Sequence, residues 1–170
     1  MTFNFYNEQD VAYIKKAFAG RTIGLTLGAF DMYHVLHDDY LQRCRRHCGH
    51  DGVLIVGVDS NDLLSERKGP KRPIIPETDR LQLVSGRNGV DAAFVLGTVQ
   101  DFGLAAKILG VKYIFKNQDY KPEEVLGADV PGVKLVIIQD CTRLSSTTET
   151  IDRIIRIHTE VVTGEKESAV

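Results

Sequence analysis

The sequence is poor in cysteine, in net charge and in long hydrophobic runs. Its three cysteines are an odd number and show no CxxC or Cys/His spacing, which excludes a disulfide framework and favours reduced thiols in the cytoplasm. The net charge of −2 gives no general reason to bind nucleic acid or an anionic membrane, and no aromatic stacking platform for RNA is evident. No apolar run approaches the roughly 20 residues that span a bilayer. The N-terminus carries early acidic residues, so we expect no signal peptide.

The composition indicates one soluble globular domain. The chain has 170 residues, of which 43% are hydrophobic and 26% charged, and this is enough to bury a core of ordinary size. We expect a single domain over residues 1–160 and a polar, disordered tail over residues 161–170. Cys44, Cys48 and His50 are close enough to suggest a metal site, but both cysteines fall in a helical apolar pattern. We therefore expect them to pack as small hydrophobes, and no metal ligand is predicted.

Predicted strands and helices alternate along the chain almost without exception. Apolar runs predict strands at residues 22–27, 52–58, 91–96, 112–115 and 133–138. Apolar positions at helical spacing predict helices at residues 7–18, 33–48, 77–87, 101–109 and 146–158, with a short helical stretch at 122–126. The alternation predicts an α/β fold, a Rossmann-like three-layer sandwich in which helices cover both faces of a mainly parallel sheet. Ligands are expected at the carboxyl ends of the strands.

The first predicted strand ends in the segment GAFDMYHVLH, residues 28–37. His34 and His37 are three residues apart at the start of a helix, so they share one face of it. A helix start presents free backbone N–H groups and the positive end of the helix dipole to an anion. Two imidazoles there can donate hydrogen bonds to a phosphate. On spacing alone, a pair of partly exposed surface histidines is an equally good interpretation.

A second candidate phosphate site is the hydroxyl cluster Ser146-Thr147-Thr148 at the start of the last predicted helix. Hydroxyls and free backbone N–H groups at a helix start can hold phosphates. The same residues are also favoured as ordinary helix N-caps. Taken alone, this cluster favours an ordinary helix N-cap over a phosphate site.

A basic segment follows the second predicted strand. The polar, proline-rich stretch 59–76 is expected to be a loop, and its length is typical of functional loops. It holds four cations within six residues, and the segment ends in Asp79-Arg80. Charge runs are usually solvated, but this one can reach the carboxyl ends of the strands. Lys68 there suits a triphosphate and a leaving pyrophosphate, as a mobile point charge.

The pattern GxFDxxHxxHxxxL resembles the signature of the cytidylyltransferase-like nucleotidyltransferases, whose usual form is GxFDxxHxGH, and the family has a matching STT before its final helix. The resemblance implies a HUP-type nucleotidyltransferase fold. It implies that His34 and His37 stabilise the transition state at the α-phosphate, with Lys68 as a further catalytic residue. The implied nucleotide-binding residues are Thr26, Gly28, Ala29, Phe30, Arg80, Ser146, Thr147 and Thr148.

Within that family, four blocks look like the adenylyltransferase domains of bacterial ADP-heptose synthases. They are GVDSND, KGPKRPIIPETDR, KNQDYKPEEVLGADV and SSTTETIDRI, and the similarity spans roughly residues 8–158. It implies that the chain transfers AMP from ATP to a sugar phosphate such as heptose 1-phosphate and releases pyrophosphate. The implied acceptor-binding residues are Asp31, Lys116, Asp119 and Tyr120.

The resemblance also implies a cofactor and partners. Mg²⁺ is expected to accompany the nucleoside triphosphate, because the chain offers no dedicated all-protein cage. We expect a cytoplasmic homodimer. The family usually joins this unit to a sugar kinase, and 170 residues leave no room for one. Phosphorylation of the acceptor is therefore expected from a separate kinase.

Three positions depart from these patterns and keep two alternatives open. Leu36 stands where the HxGH signature has glycine, and Asn117 and Gln118 stand where the KGGDY segment has two glycines. One alternative is a CTP-dependent enzyme acting on glycerol 3-phosphate or another polyol phosphate. The other is a nucleotide-binding protein whose catalysis is weakened by Leu36, since a side chain there fills space beside the base or ribose.

Overall fold

A computed structural model describes residues 1–139 and 147–163, including side chains except at 147, 148 and 160–163. The elements, in chain order, are α1 (Glu8–Ala17), β1 (Ile23–Gly28), α2 (Val35–His47), β2 (Val53–Asp59), α3 (Asn61–Lys68), α4 (Glu77–Ser85), β3 (Ala92–Leu96), α5 (Gln100–Leu109), β4 (Tyr113–Asn117), a 3₁₀ turn (Pro122–Glu124), β5 (Lys134–Ile138) and α6 (Thr147–Thr163).

The five strands form one parallel sheet in the order β3-β2-β1-β4-β5. The interior strand β2 is buried along its whole length, as a strand covered on both faces must be. One core cluster packs α1 and α5 against the sheet and the other packs α2 and α4 against its opposite face. These two layers of helices around a parallel sheet confirm the predicted Rossmann-like α/β sandwich.

The segment 59–76 is not the loop that the sequence predicts, because its first half folds into α3. The hydroxyl of Ser60 caps this helix by accepting a hydrogen bond from the Leu63 N–H at 3.1 Å. Leu63 and Leu64 are buried and anchor the helix to the core. The helix ends at Gly69, whose φ of +94° suits glycine. The basic residues before Gly69 are consequently held on a helix.

The last helix differs from its predicted bounds as well. It runs from Thr147 to Thr163, so residues 161–163 are helical and not part of a disordered tail. Residues 164–170 lie outside the described part of the chain, and so does Cys141. Cys44 and Cys48 are free and buried in the core beneath α2, as predicted for small hydrophobes.

The described residues lack both a metal-binding cluster and a membrane-spanning helix. Among them, no three His, Cys, Asp or Glu side chains are grouped as a metal ion would require. No helix in the same residues combines the length and the apolar character needed to cross a membrane.

Candidate functional site

A cavity of about 540 Å³ opens at the carboxyl ends of β1 and β4. The chain builds outward from β1 to β3 and then crosses back to β4 on the other side of β1. The cavity therefore lies at the topological switch point of the sheet, where open α/β folds bind their ligands. Nine of the predicted site residues line it, namely Gly28, Ala29, Phe30, His34, His37, Lys68, Lys116, Asp119 and Tyr120.

The two motif histidines form a close pair with tilted rings at the start of α2. His34 is the N-cap residue of this helix, and its ring centroid lies 4.0 Å from that of His37. The backbone N–H of His34 donates to Nδ1 of His37 at 3.2 Å. With Nδ1 acting as an acceptor, the neutral ring of His37 carries its proton on Nε2. The two rings therefore lie together on the cavity wall, and their role as donors to one ligand stays a prediction.

Burial favours the neutral form of both histidines. Burial, together with repulsion from the protonated form of His34 and from Lys68, lowers the pKa of His37 to about 3. Burial also lowers the pKa of His34 below its ordinary value. Nδ1 of His34 is buried and has no hydrogen-bond partner among the described residues. A neutral imidazole can still donate a hydrogen bond. It carries no positive charge, which would bind an anion equally in the ground state and in the transition state.

The turn after β1 brings backbone to the cavity wall. Phe30 has a φ of +49°, unusual for a residue with a side chain, and its ring lies 5.4 Å from that of His37. A Cβ at Gly28 would come within 3.0 Å of the Phe30 ring. Glycine at 28 thus lets Phe30 fold back against His37 and support it.

Three cations face the same cavity. Lys68 is exposed at the end of α3, and Arg67 beside it donates a hydrogen bond from Nη2 to the hydroxyl of Tyr120 at 2.9 Å. Lys116 of β4 is only 5% exposed and lies over the rings of Phe102 and Tyr120, at 4.8 and 4.3 Å. Neutral N–H donors and cations around one cavity suit a polyphosphate and a second anion.

Asp31, which the sequence suggests as an acceptor ligand, has a structural role instead. Its carboxylate is 1% exposed, pairs with Arg72 Nε at 2.7 Å and accepts hydrogen bonds from the N–H groups of Ile74 and Ile75. Burial alone would raise the pKa of Asp31, but these hydrogen bonds outweigh burial and hold the pKa below its ordinary value. Asp31 fastens the segment after α3 to the turn after β1.

Arg80, for which the sequence predicts a nucleotide contact, does not line the cavity. It is 1% exposed. Its guanidinium donates to the carbonyl of Ala29 at 2.6 Å, to the carbonyl of Ile75 at 2.8 Å and to Oδ1 of Asn61 at 3.1 Å. All three guanidinium nitrogens of Arg80 thus donate hydrogen bonds to protein groups. These groups belong to three segments that meet where Arg80 is buried.

Thr26 is the third predicted contact that the structure removes from the cavity. It is fully buried in β1, and its hydroxyl donates to the carbonyl of Phe115 at 3.1 Å. The hydroxyl of Tyr40 completes the pair at 2.8 Å, acting as the donor because the Thr26 proton is already used. Thr26 therefore positions Tyr40, which does line the cavity.

The hydroxyl cluster falls at the edge of what the structure describes. Thr147 begins α6, so this residue and Thr148 do lie in the first turn of a helix. Ser146, and the side chains of both threonines, lie outside the described residues. Their phosphate contacts stay a prediction.

Sequence reasoning missed two charged residues beside the cavity. Arg67 lines it, and Nη1 of Arg67 pairs with Oδ2 of Asp59 at 2.9 Å. Asp59 ends β2 and is 1% exposed. An acidic residue directly after a buried apolar run was the available signal for Asp59, whereas Arg67 was hidden within a charge run.

The family that matches this chain and its relatives in sequence agree with each other. The family described as cytidylyltransferase-like matches residues 25–153. The "Bifunctional protein HldE" of Desulfatibacillum aliphaticivorans is 37% identical over 133 residues, which cover 75% of this chain and 26% of the relative. The HldE of Gluconacetobacter diazotrophicus is 34% identical, with 79% and 28% covered. The chain thus spans little more than a quarter of the length of these relatives.

Solved structures show the same fold at lower identity. The lipopolysaccharide core biosynthesis protein from Thermoplasma volcanium GSS1 superposes with a TM-score of 0.58 at 23% identity, covering 74% of this chain and all of that one. The pantoate-beta-alanine ligase from Francisella tularensis gives a TM-score of 0.63 at 12% identity, covering 100% of this chain and 82% of that one.

Proposed function

Because this chain belongs to the cytidylyltransferase-like family, we propose that it transfers AMP from ATP to a sugar phosphate such as heptose 1-phosphate. Membership of the family makes the chain a nucleotidyltransferase. The nucleotide and the acceptor are the parts that we propose. The observation that best supports the proposal is the neutral pair His34 and His37, oriented on the cavity wall with Lys68 nearby.

The reaction needs no protein nucleophile. An oxygen of the acceptor phosphate attacks the α-phosphorus in line, and the bond from that phosphorus to the bridging oxygen of the β-phosphate breaks. Pyrophosphate leaves with the bonding electrons. Negative charge on the α-phosphoryl oxygens shifts during this step, and the N–H donors of His34 and His37 stabilise it. Lys68 and the hydroxyls of residues 146–148 bind the β- and γ-phosphates.

The triphosphate enters as its magnesium complex. Among the described residues the acidic side chains do not form a cage for a cation, and both oxygens of Asp31 are engaged by the protein. Mg²⁺ usually keeps several waters and binds through substrate phosphates. The proposed substrate is therefore Mg·ATP, with the metal held chiefly by the nucleotide.

A pyrophosphate-release assay tests the proposal. ATP, CTP, GTP and UTP are each combined with heptose 1-phosphate, hexose 1-phosphates and glycerol 3-phosphate. We expect the highest kcat/KM for ATP with heptose 1-phosphate. A preference for CTP with glycerol 3-phosphate would instead establish the polyol phosphate cytidylyltransferase, and an absence of pyrophosphate from every pair would refute both enzymes.

The pH dependence of acceptor binding follows from Lys116. Burial lowers the pKa of Lys116 to about 8, with Asp59 opposing this shift and Arg67 adding to it. The ammonium attracts an anion and the neutral amine does not, so we expect the acceptor kcat/KM to fall as the pH rises through about 8. A Lys116→Met variant should have a low acceptor kcat/KM that does not change across this range.

The control for this pH profile is Lys15→Met, which removes an exposed lysine of α1 remote from the cavity. It should reproduce the wild-type profile. Retention of the fall near pH 8 in Lys116→Met would show that another group titrates there.

Leu36 separates an active enzyme from a weakened binder. Leu36 lies between the two histidines in sequence, and its half-buried side chain lines the cavity. The cavity remains open around it, so we expect wild-type protein to bind Mg·ATP and Leu36→Gly to bring no gain. Glycine weakens a helix start by under ~1 kcal/mol relative to leucine, which favours a small loss. Calorimetric titration with Mg·ATP measures this, with Leu36→Ala as the matched control.

Binding of Mg·ATP that appears only after Leu36→Gly would contradict the expectation. The chain would then be a nucleotide-binding relative whose pocket is closed by this side chain.

A further inference from the structure

Two adjacent cations at the end of α3 face different partners. Successive residues of a helix point about 100° apart, and here this rotation separates Arg67 from Lys68. The charge of Lys68 acts on His37 and helps to lower the pKa of that histidine. Arg67 instead pairs with Asp59 and donates to the hydroxyl of Tyr120, each at 2.9 Å. Lys68 also acts electrostatically on Asp59, but Arg67 is held on that side by its ion pair and its hydrogen bond.

Lys116 is the second cation on the Arg67 side. The residue is only 5% exposed, and among the described residues Nζ makes no hydrogen bond besides its contacts with the faces of Phe102 and Tyr120. A largely desolvated charge without a hydrogen-bond acceptor is unfavourable. Because Lys116 also lines the cavity, an anionic ligand there would supply the missing acceptor.

Asp59 offsets part of the positive charge on this side of the cavity. Its Oδ2 holds Arg67 in place, while Oδ1 is buried without a hydrogen-bond partner among the described residues. Asp119 and Glu124 also line the cavity here, so the positive charge is local to Arg67 and Lys116. Two partly compensated cations suit the single phosphate of a monoester better than the highly charged triphosphate, which is matched by Lys68 and the histidines.

We propose that Arg67 determines acceptor recognition by binding the acceptor's phosphate together with Lys116, while the adjacent Lys68 serves the nucleotide. This inference rests on the proposed function for the identity of the two substrates. Arg67 presents a planar fork of donors, of which Asp59 and Tyr120 occupy only part. The remaining N–H groups are available for phosphate oxygens.

The experiment compares Arg67→Leu with its neighbour Lys68→Leu. The probes are the magnesium complex of α,β-methylene ATP, whose α–β linkage cannot be cleaved, and inorganic phosphate. Phosphate is titrated against protein saturated with the nucleotide analogue, and again without it, and binding is followed by chemical shifts of backbone amides. Arg67→Gln, which keeps a polar side chain, is a second variant should Arg67→Leu fold poorly.

We expect Arg67→Leu to weaken phosphate binding roughly 10- to 100-fold, the range for losing hydrogen bonds to a charged group, with nucleotide affinity changed less than about twofold. Lys68→Leu should show the reverse pattern. The inference is overturned if Arg67→Leu leaves phosphate binding unchanged, if both variants weaken both ligands equally, or if wild-type protein binds no phosphate. These readouts need no turnover, so they are distinct from a failure of pyrophosphate release in the wild type.

Discussion

His37→Ala is expected to lower kcat by roughly 10²–10³, the usual effect of removing one preorganised donor to a developing charge. The Nδ1 atom of His37 is occupied by the backbone N–H of His34, so only Nε2–H can serve the substrate. Burial keeps the ring neutral, which removes a charge that would bind ground-state phosphate. We therefore expect the Kd for Mg·ATP to change far less than kcat. Single-turnover kinetics and calorimetry together measure the two quantities.

The matched control for His37→Ala is His50→Ala. His50 is almost fully exposed, beyond the end of α2 and outside the cavity, and its removal should leave both kcat and Kd unchanged. Equal losses of turnover and nucleotide affinity in His37→Ala would show that the histidine only anchors the ground state.

Asp31→Ala is expected to lower the free energy of unfolding by about 3–5 kcal/mol, the cost of removing one partner of a buried ion pair. The variant leaves the Arg72 guanidinium and the N–H groups of Ile74 and Ile75 without their acceptor. The segment 72–75 should then lose its attachment to the turn after β1. Urea denaturation measures the change through the midpoint at constant m-value.

The pH dependence of stability distinguishes this ion pair from a packing defect. The folded-state pKa of Asp31 is below its ordinary value, so its contribution is present above the unfolded-state pKa, about 3.9. It is lost as the pH falls through the folded-state pKa. The difference between wild type and Asp31→Ala should consequently shrink in acid. Asp51→Ala, at an exposed aspartate, should leave the urea midpoint unchanged, and a pH-independent difference for Asp31→Ala would argue for lost packing.

The sequence predicts the sheet and its histidines because both are encoded locally. Continuous apolar runs such as β2 mark strands buried on two faces. His34 and His37 follow directly from one such strand, so their place at its carboxyl end needs no tertiary information. The helix α3 was missed since only Leu63 and Leu64 interrupt a polar stretch, and two apolar residues show no helical period.

The orientation of charged residues is not encoded in the same way. Asp31 and Arg80 lie next to motif residues, as ligand-binding groups do. Yet Asp31 pairs with Arg72, 41 residues away in sequence, and Arg80 donates to Ala29, 51 residues away. Whether a charged side chain meets a substrate or a neighbouring loop depends on tertiary distances of a few ångströms. The contact between Arg67 and Tyr120 spans 53 residues and was hidden for the same reason.

The position of Arg80 restricts how this protein can change length. One guanidinium connects the turn after β1 at Ala29, the start of α3 at Asn61 and the segment before α4 at Ile75. An insertion or deletion in any of these three segments would move its acceptor, a carbonyl or a side-chain amide, away from the Arg80 guanidinium. The guanidinium is held by the other two acceptors and cannot move with it. Residue identities around the acceptor can therefore diverge, while the lengths of these three connections stay fixed.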